Sequence, residues 1–270
     1  MWEQLASGRV PGSTQVPELP EVERAVVALR RHIVGRSITS IEVHHPSLAR
    51  RLGDAGRQSL VGARITAVRR RGKHQLIDLD DGRVLQAHFR MTGDWVAGPE
   101  ALTALYPRAT FRLDDDSIVV LDDPRALSSL TVHAAGHDPV AGVGPEADDP
   151  SIDAGWLRER LARRTASIKQ VLLDQSVMAG IGNIYAAESL WRARINPRRA
   201  ARRLALPDLR RLLAAIRAVL KKASGTRYSD GGGRFEVYDR EGKPCRRCRS
   251  PIRRIVQGAR STYYCPTCQR

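Results

Sequence analysis

The 270-residue chain is 42% hydrophobic, enough for one large or two modest domains, and no apolar run approaches the ~18 residues a membrane-spanning helix requires. Met1–Gln15 lack the apolar stretch of a secretory signal, so no membrane is expected and a cytoplasmic location is. The net charge of +16 is lopsided: residues 1–150 carry 18 Lys and Arg against 20 Asp and Glu, residues 151–270 carry 27 against 9, and a basic half of this kind is the footprint of a polyanionic partner such as DNA or RNA.

Pro20 to Val34 reads as a helix, with Val22, Val26, Leu29 and Ile33 on one face and Gly35 as the stop. Strands follow at 37–44 and 65–69. A hairpin over 75–79 and 83–89 turns at Asp81-Gly82, and another over 110–113 and 117–121 turns on an Asp-rich loop. The Pro-, Gly- and Asp-rich stretch 138–155 reads as a linker. Beyond it the period becomes helical, over 156–164, 167–177, 183–194 and 207–223, and the glycine-rich stretch 225–234 leads into a short C-terminal unit. The fold class is therefore α+β: a leading helix with a sheet domain, a helical domain, and a tail.

All four cysteines lie in that tail. Cys245-x2-Cys248 and Cys265-x2-Cys268, 16 residues apart, can close four thiolates around one structural Zn²⁺ with no open coordination position. A tail of ~35 residues buries too little to fold alone, and metal binding would supply the folding energy. A redox dithiol is the alternative. Arg246, Arg247, Arg253, Arg254 and Arg260 surround the cluster with charge.

Pro17-Glu18-Leu19-Pro20-Glu21-Val22-Glu23 resembles the N-terminal signature of the formamidopyrimidine-DNA glycosylase family. The resemblance continues in order through Arg71-Gly72-Lys73, through His88-Phe89-Arg90-Met91-Thr92-Gly93 and through Asp123-Pro124-Arg125. It ends with Gly180-Ile181-Gly182-Asn183-Ile184-Tyr185-Ala186 and the cysteine pairs with Arg260. It implies a β-sandwich domain with a leading helix over 17–147, a helix–two-turns–helix domain over 155–224 and a zinc finger over 235–270. The expected partner is double-stranded DNA holding damaged bases or abasic sites, bound by a bacterial, nucleoid-associated monomer.

In such an enzyme the secondary amine of an N-terminal proline attacks the sugar C1′, the base leaves, and a covalent imine forms. The resemblance carries this role to Pro17, proton transfer to Glu18, phosphate-holding that favours elimination to Lys73, and support of the N-terminal geometry to Glu21. Acidic residues at a helix start also explain Glu21 and Glu23 through the helix dipole alone. Met91, Arg125 and Leu127 match the positions that fill the gap left by an extruded nucleotide; core packing is the alternative for Met91 and Leu127. Leu127 stands where the family usually has Phe, and Arg90 where it commonly has Gly. Asn183 at a helix N-terminus, Lys169 and Arg260 are expected to grip phosphate. His88 either adds a phosphate contact or is a satisfied core histidine.

Sixteen residues precede Pro17, which makes its nitrogen an amide with no nucleophilic power as written. Val16 can be encoded by GUG, an initiation codon, and with 40 Arg against 5 Lys the composition suits a GC-rich genome. The expectation is that residues 1–16 are a mis-assigned extension and that loss of an initiator Met exposes Pro17. The function expected is base-excision glycosylase with abasic-site lyase activity. The alternatives are an endonuclease VIII-like enzyme for oxidised pyrimidines, favoured by the short 225–234 loop, or a non-catalytic lesion binder if Pro17 is internal.

Overall fold

In the computed structural model, which describes residues 16–224 and 235–270, the leading helix α1 runs Leu19–Ile33. It buries Val22, Ala25, Val26, Leu29 and Ile33, the stripe its period predicts. Strand β1 (Ile38–Val43) follows, then helix α2 (Pro46–Leu60), β2 (Ile65–Arg71), β3 (His74–Leu79), β4 (Val84–His88) and β5 (Asp94–Ala97). A 3-10 turn at Gly98–Thr103 leads to β6 (Pro107–Leu113), β7 (Ile118–Asp122) and β8 (Ser129–His133). These make two four-stranded antiparallel sheets, in the orders β1-β6-β7-β5 and β2-β3-β4-β8. Val68, Ile77 and Leu85 from one sheet meet Phe111, Leu113 and Leu121 from the other in one core, closed by the apolar face of α1.

Helix α2 and strands β5 and β8 extend the sequence reading. α2 starts on a His45 cap with Pro46 in its first turn and bends at Gly53 (φ 68°), which hid its Leu48, Leu52 and Leu60 stripe. β5 and β8 are too short for alternation to show.

A second compact unit begins at Gly142. Most of the segment read as linker, from 142 on, belongs to it: Gly144 N–H donates to Gln175 O (2.8 Å), and Ala147 N–H to Ala179 O (3.1 Å). Gly144 packs so tightly that a Cβ there would lie 2.5 Å from Ser176 O. The compact unit that holds the sheets ends at Ala141. Helices α3 (Ala154–Leu161), α4 (Ile168–Leu172), α5 (Asn183–Ala193) and α6 (Leu206–Ser224) follow, then the hairpin β9 (Arg253–Gln257) and β10 (Arg260–Tyr264). α4 is one turn and a half where a longer helix was expected, because the chain leaves it through Asp174, whose carboxylate takes the Ser176 N–H. No described helix is long and apolar enough to cross a membrane.

Candidate active site and nucleic-acid interface

Pro17 is half-buried and leads directly into Glu18, which is 1% exposed at the N-cap of α1. Glu18 and Glu21 form a reciprocal capping box: the Glu18 carboxylate takes the Glu21 N–H, and Glu21 Oε2 takes the Glu18 N–H at 3.0 Å. This box fixes the backbone on which the Pro17 nitrogen sits. Two residues on, Glu23 receives Arg70 Nε at 2.6 Å, and the same guanidinium donates to Gly72 O at 3.1 Å. The Arg70 side chain is only 11% exposed, a geometry in which an ion pair holds its partners in place. Glu23 and Arg70 thus tie the start of α1 to the β2–β3 turn that carries half-buried Lys73.

On the neighbouring strand pair, His74 faces His88, their rings 4.9 Å apart edge-to-face. His88 Nδ1 accepts the Arg90 N–H at 2.9 Å, which leaves the ring proton on Nε2. Burial, then the charges of His74, Arg90 and Lys73, push the pKa of His88 down to about 3; burial and the same two cations lower that of His74. Both rings are neutral near pH 7.

The chain after β4 turns tightly through Phe89–Gly93, closed by Gly93 N–H to Phe89 O at 3.2 Å. A Cβ at Gly93 would lie 3.0 Å from the Phe89 backbone, a tight contact that favours glycine there. Met91, half-buried, sits at the tip, and Arg90 before it holds φ 57°, the left-handed region that favours glycine. The loop after β7 presents Arg125 and Leu127, both exposed, with Ala126 between them at φ 54°. Leu127 at 38% exposure is not core, which removes the packing alternative for it.

One buried carboxylate serves both loops. Asp123, 0% exposed, accepts from Thr92 Oγ1 and Arg125 N (3.1 Å) on one oxygen, and from Leu127 N and Ser128 N (both 2.7 Å) on the other. Burial opposes its charge, but the hydrogen bonds from Thr92, Ser128 and Arg125 outweigh it and hold its pKa below the usual carboxylate range. Arg108 braces the same loop through Asp123 O (2.6 Å) and Pro124 O (3.2 Å).

In the second unit, Asn183 opens α5 after the Gly182 N-cap, and its Nδ2 donates to Ser261 O at 3.0 Å. The Asn183 Oδ1 is buried without a hydrogen-bond partner among the described residues. Lys169, expected to grip phosphate, lies inside the fold. Its side chain is 0% exposed, and the ammonium donates to Ser261 O (3.0 Å) and Thr262 Oγ1 (2.6 Å), because α4 buries Ile168, Lys169, Val171 and Leu172 together. Lys169 therefore anchors β10. Arg260 is exposed at the first position of that strand.

Cys245, Cys248, Cys265 and Cys268 bring their sulfurs within 4.8 Å of one another. Zn–S bonds of ~2.3 Å in a tetrahedron need S···S edges of roughly 3.8 Å, so the four fit one structural Zn²⁺. Trp191 Nε1–H donates to Cys245 Sγ at 3.4 Å, and the N–H groups of Arg247 and Cys268 point at Cys245 and Cys265 sulfurs, all of which stabilise thiolates. Ala187 and Trp191 of α5 pack with Val237 and Ile252, so the cysteine module shares a core with the helices.

Three family models account for most of the chain: the formamidopyrimidine-DNA glycosylase N-terminal domain over residues 16–130, its H2TH domain over 143–230, and the zinc finger found in FPG and IleRS over 242–270. The chain belongs to the formamidopyrimidine-DNA glycosylase family. The family's enzyme from Thiobacillus denitrificans is 40% identical over 272 residues, spanning 94% of this chain and 100% of that protein. The one from a Nocardioides species is 38% identical over 94% of each. Among solved structures, MutM in complex with carbocyclic 8-oxo-G-containing DNA is similar at TM-score 0.84 and 32% identity, covering 94% of this chain and 100% of that one. Lactococcus lactis Fpg in complex with abasic-site DNA is similar at TM-score 0.84 and 30% identity, covering 94% and 99%.

The sequence reading assigned no role to Thr92, Arg108, Arg70 or Glu188. Thr92 and Arg108 become visible only once the fold brings residues 92, 108 and 123 together. Glu188 lies inside an apolar helical run, where a lone acid is a signal that could have been read. Its buried carboxylate accepts the N–H groups of Glu236, Val237 and Tyr238, each at 2.9 Å, and burial raises its pKa despite them. The extension Met1–Gln15 and the glycine-rich stretch 225–234, on which the lesion preference was argued, lie outside the described residues.

Proposed function

We propose that this protein excises oxidised and ring-opened bases from double-stranded DNA and then cleaves the strand at the abasic site, working as a monomer on the chromosome in a bacterial cytoplasm. The observation that carries this reading is family membership across nearly the whole chain, with Pro17-Glu18 set by a capping box at the start of α1. The Pro17 nitrogen, as a free secondary amine, attacks the sugar C1′. The C1′–N bond to the base breaks and the base leaves with a proton; the proline nitrogen, having lost its own proton, then expels O4′, and the C1′–O4′ bond breaks with protonation of O4′ to leave a ring-opened iminium. Loss of a C2′ proton then breaks the C3′–O bond, and a second elimination releases the 5′ phosphate. Glu18 moves protons at the sugar, and Glu21 holds Glu18 in place. Lys73, held by the Arg70–Glu23 tie, contacts phosphate and favours elimination.

Met91, Arg125 and Leu127 fill the space vacated by the extruded nucleotide. Asn183 and Arg260 hold the backbone. His88, neutral, offers Nε2–H to phosphate as an ordinary hydrogen bond rather than an ion pair. Similar proteins form complexes with 8-oxo-G, abasic-site and Fapy-dG DNA, which supports damaged purines as substrates here.

Borohydride trapping tests the reading. Protein beginning at Pro17 is expected to become covalently linked to lesion or abasic DNA, and protein retaining Met1 is not. Equal trapping of both, with the longer form shown intact, overturns the Pro17 assignment.

A further inference from the structure

The two loops proposed to enter the DNA stack are separated by about thirty residues of sequence and by three strands, yet they converge on Asp123. Thr92, next to Met91, reaches one carboxylate oxygen through its hydroxyl. The N–H of Arg125 reaches the same oxygen, and those of Leu127 and Ser128 reach the other. Each loop also holds one non-glycine residue in the left-handed region beside its inserting side chains, Arg90 before Met91 and Ala126 before Leu127. Such backbones persist only where surrounding bonds over-determine them. The carboxylate supplies those bonds for the second loop, and the Thr92 hydroxyl joins the first loop to it.

We infer that Thr92 and Asp123 are positioning residues that yoke the Met91 loop to the Arg125–Leu127 loop, so that both wedges enter the stack as one piece. Two independently mobile loops would each have to be ordered when a base is extruded. A shared buried carboxylate makes that ordering part of the folded protein, and the conformational entropy is lost at folding instead of at DNA engagement. The inference rests on the glycosylase reading and concerns base extrusion only. Asp123 and Thr92 carry out no bond-making step.

Thr92→Val keeps the shape and removes only the hydroxyl. A hydrogen bond to a buried carboxylate is of the stronger kind, so in protein beginning at Pro17 this variant is expected to slow single-turnover excision from lesion duplex by about tenfold or more. Cleavage of a preformed abasic site in single-stranded DNA, where no stack is replaced, stays within about twofold of the parent. Thr92→Ser restores the hydroxyl and is expected to recover most of the duplex rate. In the parent, Met91→Ala and Arg125→Ala give non-additive losses; in the Thr92→Val background their losses add. Equal slowing on both substrates, slowing on neither, no recovery by Thr92→Ser, or an unchanged coupling would each overturn the yoke. Absence of abasic cleavage by the parent itself would instead refute the glycosylase reading.

Discussion

Arg90 offers a direct measure of the strain held in the Met91 loop. Its φ of 57° is a conformation glycine adopts freely and an L-residue does not. The left-handed region costs a non-glycine residue about 1–2 kcal/mol, and glycine gives back roughly 0.5–1 kcal/mol through its greater freedom in the unfolded chain. Arg90→Gly should therefore stabilise the N-terminal unit by about 0.5–1 kcal/mol, raising its melting temperature by about 1–4 °C for a domain of this size. Arg90 is exposed, but its charge bears on His74 and His88, so the comparison must hold the loss of charge constant. Arg90→Ala does so: it removes the same guanidinium and keeps the strained backbone. Scanning calorimetry on the parent and the two variants, at one pH and one salt concentration, is the assay. The reasoning predicts Arg90→Gly above Arg90→Ala by the stated interval. Equal melting temperatures for the two variants, or a lower one for Arg90→Gly, would refute it.

The His88 ring is neutral in the folded state down to a pKa of about 3, whereas the unfolded ring titrates near the ordinary histidine value of 6.5. Because the folded pKa is depressed, the stability it contributes is present above pH 6.5 and is lost as pH falls from there toward 3; urea titrations from pH 7.5 to 5 should show declining stability, flattened in His88→Gln. Arg260→Ala should weaken DNA binding and reduce the salt slope by about one unit. Lys169→Met should weaken binding through displacement of β10 while leaving that slope unchanged, and a reduced slope would mean that Lys169 meets phosphate after all. Removing zinc with a chelator, or Cys265→Ser, should unfold the hairpin and leave the sheet unit folded; elemental analysis should find one zinc per chain in active protein.

The pattern of sheets, helices and cysteine hairpin was legible because each depends on local signals: the α1 stripe, the Asp81-Gly82 turn, the knuckle spacing. Helix α2 was not, since a glycine at φ 68° breaks its period midway. At the site, chemistry-bearing motifs could be read off the chain, but the direction of a side chain could not. Lys169 was grouped with Asn183 and Arg260 as a phosphate grip. Only the packing of α4 against β10 reveals that this lysine is enclosed with a carbonyl and a hydroxyl. Arg90 was visible as a departure from a common glycine, and its backbone angle supplies the physical reason glycine is common there. Asp123 was quoted as part of a motif, yet its task depends on Thr92, thirty-one residues away.

The way Asp123 holds its own loop bears on how such an enzyme can diversify. Three of its four donors are main-chain N–H groups, belonging to positions 125, 127 and 128 whatever side chains stand there. The mount is thus indifferent to the tool it carries. A leucine can replace a phenylalanine at 127, or the side chain at 125 can change, without the loop having to find a new shape. Selection can then act on the side chains proposed to fill the gap in the stack while the backbone stays where it is. Position 123 has no such latitude, because only a short side chain with two acceptor oxygens meets all four donors.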